Sequence, residues 1–122
     1  MTLKQFLSIA DALSDGTRVR ALLALRNGQQ CLCQFVELLG LAPSTLSKHL
    51  DVLCRAGLVE RSHHGRWRYF RLAGKGASAD VRRVLNLALD SLQDEPVIAD
   101  DTRKVRQIRR KDLKDLASCY RK

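Results

Sequence analysis

The sequence predicts a mainly α-helical fold with one small β-hairpin, arranged as a winged helix-turn-helix. Apolar residues recur at helical spacing through most of the 122 residues. Two of the helices predicted in this way are separated by a short break around Gly40, which is the spacing of a helix-turn-helix. Two β-rich runs, residues 58–62 and 67–72, follow at once and flank a predicted turn at residues 63–66. A hairpin in this place is a wing.

The first two helices are predicted from apolar residues that lie three or four positions apart. The first helix ends at the break Ser14-Asp15-Gly16, and either Asp15 or Thr17 can cap the second helix. The second helix stops at Asn27-Gly28, a strong terminating pair. The apolar positions of the two helices are Leu3, Phe6, Leu7, Ala10, Leu13, Val19, Leu22, Leu23 and Leu25.

The third and fourth helices form the predicted helix-turn-helix. Residues 31–39 give a short third helix that ends at Gly40. The stretch Ala42-Pro43-Ser44 begins the fourth helix because proline suits a first helical turn, and Gly57 ends that helix. The spacing of three leucines predicts its inner stripe, which consists of Leu46, Leu50 and Leu53.

The C-terminal part of the chain is predicted to contain a fifth helix and a basic extension. Asp94-Glu95-Pro96 marks a boundary, and residues 97–101 are predicted as a linker to a terminal helix. We therefore expect a winged-helix domain over residues 1–95 and a helical C-terminal extension over residues 96–122. The apolar face of the fifth helix is wide for a surface helix and consists of Val81, Val84, Leu85, Leu87, Ala88, Leu89 and Leu92.

The charge balance predicts a polyanionic partner. The formal net charge is +9 at pH 7, and residues 96–122 hold nine of the 22 Lys and Arg but only four of the 13 Asp and Glu. The N-terminus lacks a signal-peptide pattern and no apolar run approaches membrane-spanning length, so we expect a cytoplasmic protein without membrane contact. Thiols stay reduced in that compartment, which favours packing, metal-binding or redox roles for the four cysteines over structural disulfides.

The start of the fourth helix is predicted to bind double-stranded operator DNA. Hydroxyl and basic residues alternate there with Leu46 and Leu50, and no acidic residue lies between Gly40 and Leu50. Such a face can bond phosphates and base edges, and the beginning of a recognition helix enters the major groove. The wing adds two guanidinium groups that suit the DNA backbone or the minor groove. The predicted DNA-binding residues are Ser44, Thr45, Ser47, Lys48, His49, Arg66 and Arg68.

Five motifs occur together within residues 9–72. They are Leu13-Ser14-Asp15-Gly16-Thr17-Arg18, Cys31-Leu32-Cys33, Ser44-Thr45-Leu46-Ser47-Lys48-His49-Leu50, Ala56-Gly57-Leu58-Val59 and Gly65-Arg66-Trp67-Arg68-Tyr69-Phe70-Arg71-Leu72. With these motifs the chain resembles the arsenic-responsive repressors of the ArsR/SmtB family. The resemblance implies a homodimeric winged-helix repressor that leaves its operator when a metal or metalloid binds. It also implies that the first and fifth helices form the dimer interface, so residues 1–95 are expected to bind DNA and to dimerise.

Cys31 and Cys33 are predicted to bind the inducer, which is arsenite, with antimonite or another thiophilic ion as the alternative. Soft ions prefer thiolates, and the start of a helix favours the ionised thiol. Side chains two positions apart on a regular helix point about 200° apart, so capture by both thiols requires the first turn to distort. Such a distortion would change the docking angle of the adjacent recognition helix.

A third thiolate is expected from outside the third helix. Arsenic-responsive members of the family often carry another cysteine a few residues after the pair, but here Gln34, Phe35, Val36 and Glu37 follow. Cys119 in the basic extension is the predicted third ligand, reached either within its own subunit or across the dimer. Cys54 is interpreted as a packing residue, and it is the alternative third ligand if Cys119 does not complete the site.

Two other functions are compatible with the same residues. The first is a thiol-redox-responsive regulator of the same fold, in which oxidation of the cysteines drives release from DNA. The second is a small thiol-dependent enzyme, but the sequence offers no acid or base partner beside the cysteines. We therefore predict a regulator and not an enzyme.

Overall fold

The computed structural model describes residues 1–117, with the backbone alone at residues 114 and 117. Within this range the chain forms seven helices and three strands. In chain order these are α1 (Leu3–Ala12), α2 (Gly16–Ala24), β1 (Gln30–Cys31), α3 (Leu32–Leu39), α4 (Pro43–Arg55), β2 (Val59–His64), β3 (Trp67–Leu72), α5 (Ala79–Leu92), α6 (Pro96–Ile108) and α7 (Leu113–Ala117). The predicted fold class is confirmed: α3 and α4 are the helix-turn-helix, and β2 with β3 is the wing.

Three local features explain where α2 begins, where α3 ends and where α4 begins. The Asp15 carboxylate caps α2 by accepting hydrogen bonds from the backbone N–H groups of Thr17 (2.8 Å) and Arg18 (3.1 Å). The bond from Arg18 in particular lowers the pKa of this carboxyl. Gly40 ends α3 with φ 68°, a left-handed conformation that glycine adopts at little cost. Pro43 starts α4 directly after Ala42.

The sheet is antiparallel and has the strand order β1-β3-β2. The short strand β1, which the sequence did not predict, pairs Gln30 with Phe70 and Cys31 with Tyr69. The predicted turn at residues 63–66 is too long, because His63 and His64 continue β2 and pair with β3. Gly65 makes the shorter turn possible, since its φ of 62° lies in the left-handed region.

The core lies between α2, α3, α4 and the sheet. Leu46, Leu50 and Leu53 are completely buried, which confirms the predicted inner stripe of α4. Phe35 on α3 meets Phe70 on β3 edge to face, with ring centroids 6.1 Å apart. The recognition helix α4 (the reading helix), the preceding helix α3 and the wing therefore share one apolar cluster.

The C-terminal extension packs against α2 and α3. Residues 97–101 are the first turns of α6 rather than the predicted linker, because Pro96 starts a helix that buries Ile98 and Asp101. The Asp101 carboxylate binds Arg20 of α2 through two bonds, at 2.8 Å to Nε and 2.9 Å to Nη2. The division of the chain at residue 95 stays a prediction, although Val105, Ile108 and Leu116 join the same apolar cluster as the winged helix.

Two helices keep large apolar side chains on the surface of the monomer. Leu3, Phe6 and Leu7 of α1 are 74%, 56% and 56% exposed, and Leu87 of α5 is 68% exposed. An open groove of about 560 Å³ lies between these helices and is lined by Leu3, Phe6 and Val84 among others. No helix among residues 1–117 has both the length and the apolar character that a membrane span needs.

We expect Asp101→Asn to lower the free energy of unfolding by about 2–3 kcal/mol, because the Arg20 guanidinium loses the carboxylate that it binds. The loss stays below that of a fully buried pair, since the Arg20 side chain is 31% exposed and can be rehydrated. Urea denaturation measures the change. Asp100→Asn is the matched control: its carboxylate is 44% exposed and forms ion pairs with Arg103 and Lys104 of the same helix, so the stability of this variant should be nearly unchanged. Equal losses in the two variants would contradict the argument.

Candidate DNA-binding surface and thiol site

The predicted DNA-binding residues of α4 lie at its N-terminal end and on its outer side. Ser44, Thr45 and Lys48 are exposed, while Ser47 and His49 are half-buried at the edges of that face. The N-cap position is Ala42, which has no side-chain cap, so the Ser44 hydroxyl is not used to cap the helix. Hydroxyl groups, an ammonium group and the helix N-terminus are thus presented together on one surface.

The wing is joined to this surface by Arg68. Its Nη2 donates a hydrogen bond to the Ser47 hydroxyl at 3.2 Å, which links β3 to the first half of α4. Arg66 lies beyond the strand at the exposed turn, and its guanidinium group lies 5.2 Å from the centre of the Trp67 ring. The two arginines therefore differ: Arg68 is half-buried between the wing and α4, whereas Arg66 is exposed at the turn.

Arg61 is a wing residue that the sequence analysis missed. It lies exposed on β2, and its Nη2 is 2.6 Å from the Asp51 carboxylate of α4. Alternation along β2 from the buried Val59 was the signal that could have found it. The ion pair neutralises an acidic group on the reading helix that would otherwise repel phosphates.

Cys54 lies beside this ion pair on α4. It is half-buried and packs against the core cluster, as expected of a packing thiol. Burial raises the pKa of the Cys54 thiol, and the neighbouring Arg61 offsets part of that effect.

The guanidinium group of Arg18 contacts the imidazole ring of His49. The Arg18 Nη1 lies 3.4 Å from His49 Nδ1, within reach of a hydrogen bond between the two side chains. The same guanidinium donates to the carbonyl oxygens of Ala12 and Asp11 at the end of α1, both at 2.9 Å.

Cys31 and Cys33 are brought together at the start of α3. Cys31 is the N-cap residue, with φ −85° and ψ 163°, and it is therefore extended rather than helical. The two Cα atoms are 5.4 Å apart and the sulfurs are joined in a disulfide. Two expectations are corrected here: the sulfurs meet without distortion of the helix, and these cysteines form a disulfide. The reason is that the helix begins at Leu32, so the two side chains do not both follow helical geometry.

The thiol site is buried. Cys31 and Cys33 are each only 1% exposed, and the neighbouring Gln30 is completely buried. The backbone N–H of Cys31 donates to the Gln34 side chain at 2.8 Å, which fixes the first turn of α3. The Gln30 amide nitrogen donates to the Ala24 carbonyl, while its Oε1 has no partner among the described residues.

The C-terminal extension lies across α3 within the same chain. Arg109, at the end of α6, donates to the carbonyl oxygens of Gly28 and Gln29 at 2.8 and 3.1 Å. Lys111 pairs with Glu37 of α3 at 2.7 Å, and α7 then packs on α3. Cys119, the predicted third ligand, lies outside the described residues. Within residues 1–117 no three His, Cys, Asp or Glu side chains are grouped closely enough to hold a metal ion.

The fold and the polar face of α4 define a winged helix-turn-helix DNA-binding protein. Residues 15–61 match the family model described as "Bacterial regulatory protein, arsR family". The chain is 34% identical over 89 residues to the HTH-type transcriptional regulator CmtR of Mycobacterium tuberculosis, covering 73% of this chain and 75% of CmtR. The chain therefore belongs to the ArsR family of bacterial transcriptional regulators. These relatives are regulators and not enzymes, which agrees with the predicted class.

Two further similarities bear on the choice of function. The Arsenic resistance transcriptional regulator ArsR1 of Pseudomonas putida is 39% identical over 61 residues, which is 49% of this chain but only 48% of ArsR1. The chain thus spans about half the length of that curated relative. A solved structure from Mycobacterium bovis is titled a homodimeric winged helix-turn-helix DNA-binding domain of a possible ArsR-family regulator. It is 31% identical, covers 76% of this chain and 82% of its own, and has a TM-score of 0.63.

We expect Lys48→Ala and Arg68→Ala to weaken binding to duplex DNA and to lower the slope of log K against log salt by about one unit each, if each side chain meets one phosphate. Fluorescence anisotropy with a random-sequence duplex over a range of salt concentrations measures the slope. Arg68→Gln is the matched variant, because glutamine can still donate to Ser47 but has no charge. If Arg68→Gln keeps the wild-type slope, Arg68 positions the wing and does not contact a phosphate.

Proposed function

We propose that this regulator is a cytoplasmic repressor that binds operator DNA as a homodimer and leaves it when arsenite binds Cys31 and Cys33. Antimonite or another thiophilic ion is the alternative inducer. The observation that carries the proposal is the direct approach of two buried sulfurs at the start of α3, the helix that supports the reading helix. The name of ArsR1, an arsenic resistance regulator, supports the same inducer class.

The donor set fits a soft ion. Reduction of the Cys31–Cys33 disulfide leaves two thiols that face each other, and thiolates are the ligands that soft ions prefer. The site begins a helix, where free backbone N–H groups and the helix dipole favour the ionised thiol. Trivalent arsenic is satisfied by three sulfurs, and we propose Cys119 as the third. The packing of α6 and α7 on α3 supports delivery of that residue from within the same chain.

Release from DNA follows from the packing around the two sulfurs. An ion bonded to both must hold them further apart than a direct sulfur–sulfur bond does. Protein interiors are close-packed, so a buried pair cannot separate without movement of a neighbouring element. Because α3 packs on α4 through the shared apolar cluster, a shift of the first turn of α3 changes the angle at which α4 meets the groove.

The proposed reading surface is built from α4 and the wing. We assign base and phosphate contacts to Ser44, Thr45, Ser47, Lys48 and His49 on the recognition helix, with Arg66 and Arg68 on the wing. The exposed N-terminal end of α4 supports contact with major-groove acceptors. Arg61 stabilises this surface through Asp51 rather than by its own contact with DNA.

The proposed dimer interface is the apolar face shared by α1 and α5. Leu3, Phe6 and Leu7 of α1 and Leu87 of α5 are more than half exposed in the monomer, and contiguous exposed apolar surface marks an interaction site. Two such faces bury each other in a twofold arrangement. The homodimeric state of the M. bovis relative supports this assembly.

A thiol-redox-responsive repressor is the second candidate, and the Cys31–Cys33 disulfide favours it. A peroxide would oxidise the two thiols to this disulfide and be reduced to water, without any bound ion. The two functions make different demands on the site: the first needs both thiols reduced, whereas the second needs them to cycle between thiol and disulfide.

We expect Cys31→Ser and Cys33→Ser to bind an operator duplex like the wild type and to remain bound when arsenite is added. The operator is first selected from random sequence with the reduced wild-type protein, and release is followed by anisotropy under anaerobic conditions. Cys119→Ser should release only at higher arsenite concentrations. Cys54→Ser is the control, since that half-buried thiol lies on α4 beside Arg61 and Asp51, and it should release like the wild type.

Two outcomes separate the candidates. Arsenite release at near-stoichiometric amounts without disulfide formation supports the metalloid function, and disulfide formation is read by alkylation and mass measurement. Release by peroxide alone, with a new Cys31–Cys33 disulfide, would replace the metalloid function with the redox function. Arsenite release that survives in both single variants would contradict the assignment of Cys31 and Cys33 as the arsenite site.

We expect Phe6→Glu to convert the dimer to a monomer, because a buried carboxylate in the α1–α5 interface has no partner. Sedimentation equilibrium measures the mass. Val97→Glu is the matched control: Val97 is 48% exposed on α6, outside the α1–α5 face, and its charge should leave the assembly intact. A Phe6→Glu protein that remains dimeric would place the interface elsewhere.

A further inference from the structure

The thiol site is joined to the wing by β1, a strand of only two residues. This strand pairs Cys31 with Tyr69 of β3. Side chains that lie opposite each other in an antiparallel pair project from the same face of the sheet, with Cβ atoms about 5 Å apart. The Tyr69 side chain is half-buried and packs against the apolar cluster that contains Cys31. Tyr69 is therefore a wing residue that lies next to the thiol site.

The preceding residue of β3 reaches the DNA-binding surface. Successive side chains of a strand alternate between the two faces of a sheet, so Arg68 projects from the face opposite to Tyr69. On that face the Arg68 Nη2 donates a hydrogen bond to the Ser47 hydroxyl of α4 at 3.2 Å. Two neighbouring residues of one strand therefore contact the surroundings of the thiol pair on one face and the reading helix on the other.

The chain that leads into Cys31 is held in place. Arg109 donates to the carbonyl oxygens of the two residues before β1, at 2.8 and 3.1 Å. The Gln30 side chain is completely buried, and its amide nitrogen donates to the Ala24 carbonyl at the end of α2. Because this loop is anchored at both places, it cannot easily absorb a displacement of Cys31. The displacement is passed to the other neighbours of Cys31, which are the first turn of α3 and β3.

The outer end of the wing has room to follow such a displacement. Its turn is exposed, and a Cβ atom placed on Gly65 would meet no atom of residues 1–117 within 4 Å. The His64 ring of β2 contacts the Tyr69 ring edge to face, with centroids 5.2 Å apart. This contact joins the two strands of the wing beside the thiol site, so both strands move when the Tyr69 ring moves.

We propose that Tyr69 is a positioning residue that transmits the bonding state of Cys31 to the wing. When Cys31 is released from Cys33, its sulfur changes place, and the neighbouring Tyr69 ring moves because the cluster is close-packed. β3 then shifts, and Arg68 changes its position beside Ser47. The inference rests on the proposed function in taking the thiol pair as the switch. It adds a second route to the DNA-binding surface, beside the one through α3.

The test compares the disulfide and dithiol forms of the full-length chain by fluorine NMR. Trp67 is the single tryptophan, so 5-fluorotryptophan gives one resonance, which comes from the wing. Cys54→Ser and Cys119→Ser in the background leave only the pair to respond. The dithiol form is purified in a phosphine, for which water supplies the oxygen of the phosphine oxide and the two thiol protons. The disulfide form is made with oxidised glutathione, which takes up two electrons and two protons as two molecules of glutathione.

We expect the Trp67 resonance to differ between the two forms, and the difference to be lost in Tyr69→Ala. Tyr69→Phe should keep the difference, because the ring makes the contact with the thiol site. Leu72→Ala is the matched control: Leu72 is also half-buried on β3 but projects from the other face, so the difference should remain. Affinity for a random-sequence duplex should differ about fivefold or more between the forms, and by less than about twofold in Tyr69→Ala.

The proposal is overturned by equal resonances or equal affinities in the two forms, or by a difference that persists in Tyr69→Ala. A difference that is also lost in Leu72→Ala would assign the effect to general loosening of the wing and reject the role of Tyr69. If Tyr69→Ala fails to fold, 3-fluorotyrosine is placed in Tyr120→Phe protein, in which Tyr69 is the only tyrosine, and an unchanged resonance overturns the coupling. No arsenite is present, so failure of arsenite to release the operator would overturn the proposed function and leave the coupling intact.

Discussion

The packing of α3 is the constraint on which the rest of the structure depends. The helix buries most of its circumference, with Phe35 completely enclosed and in edge-to-face contact with Phe70 of the sheet. The reading helix α4 packs against it, and so do α6 and α7. Because such a core is close-packed, α3 cannot shift while its neighbours stay fixed. The helix that begins with the thiol pair is thus also the support of the DNA-binding surface.

Charge is arranged so that this surface stays positive. Asp51 is the acidic group of α4, and its pairing with Arg61 removes a repulsion that would otherwise act on phosphates. Lys48 and Arg66 remain exposed. The basic extension uses part of its own charge internally, since Arg109 binds backbone carbonyls and Lys111 binds Glu37. The large net charge of the chain is therefore only partly available to a polyanion.

Sequence patterns were sufficient to predict the winged helix but not the geometry of the thiol site. Apolar spacing predicted the inner stripe of α4, and glycine marked the end of α3, because both effects are local. The geometry of the pair depended on whether α3 begins at Cys31 or at Leu32, a difference of one residue that sequence patterns do not resolve. The packing of residues 97–101 depended on Asp101 meeting Arg20, 81 positions away, which no local pattern reports.

The bridge that Arg18 makes between α1 and α4 has a consequence for the spacing of operator half-sites. One guanidinium group holds the final carbonyls of α1, at Asp11 and Ala12, and reaches His49 on the reading helix. In the proposed dimer joined through α1, this single guanidinium group would then set the orientation of each reading helix relative to the twofold axis. In that proposed dimer, the distance between the two half-sites would depend on the orientation that this one side chain gives to the reading helix.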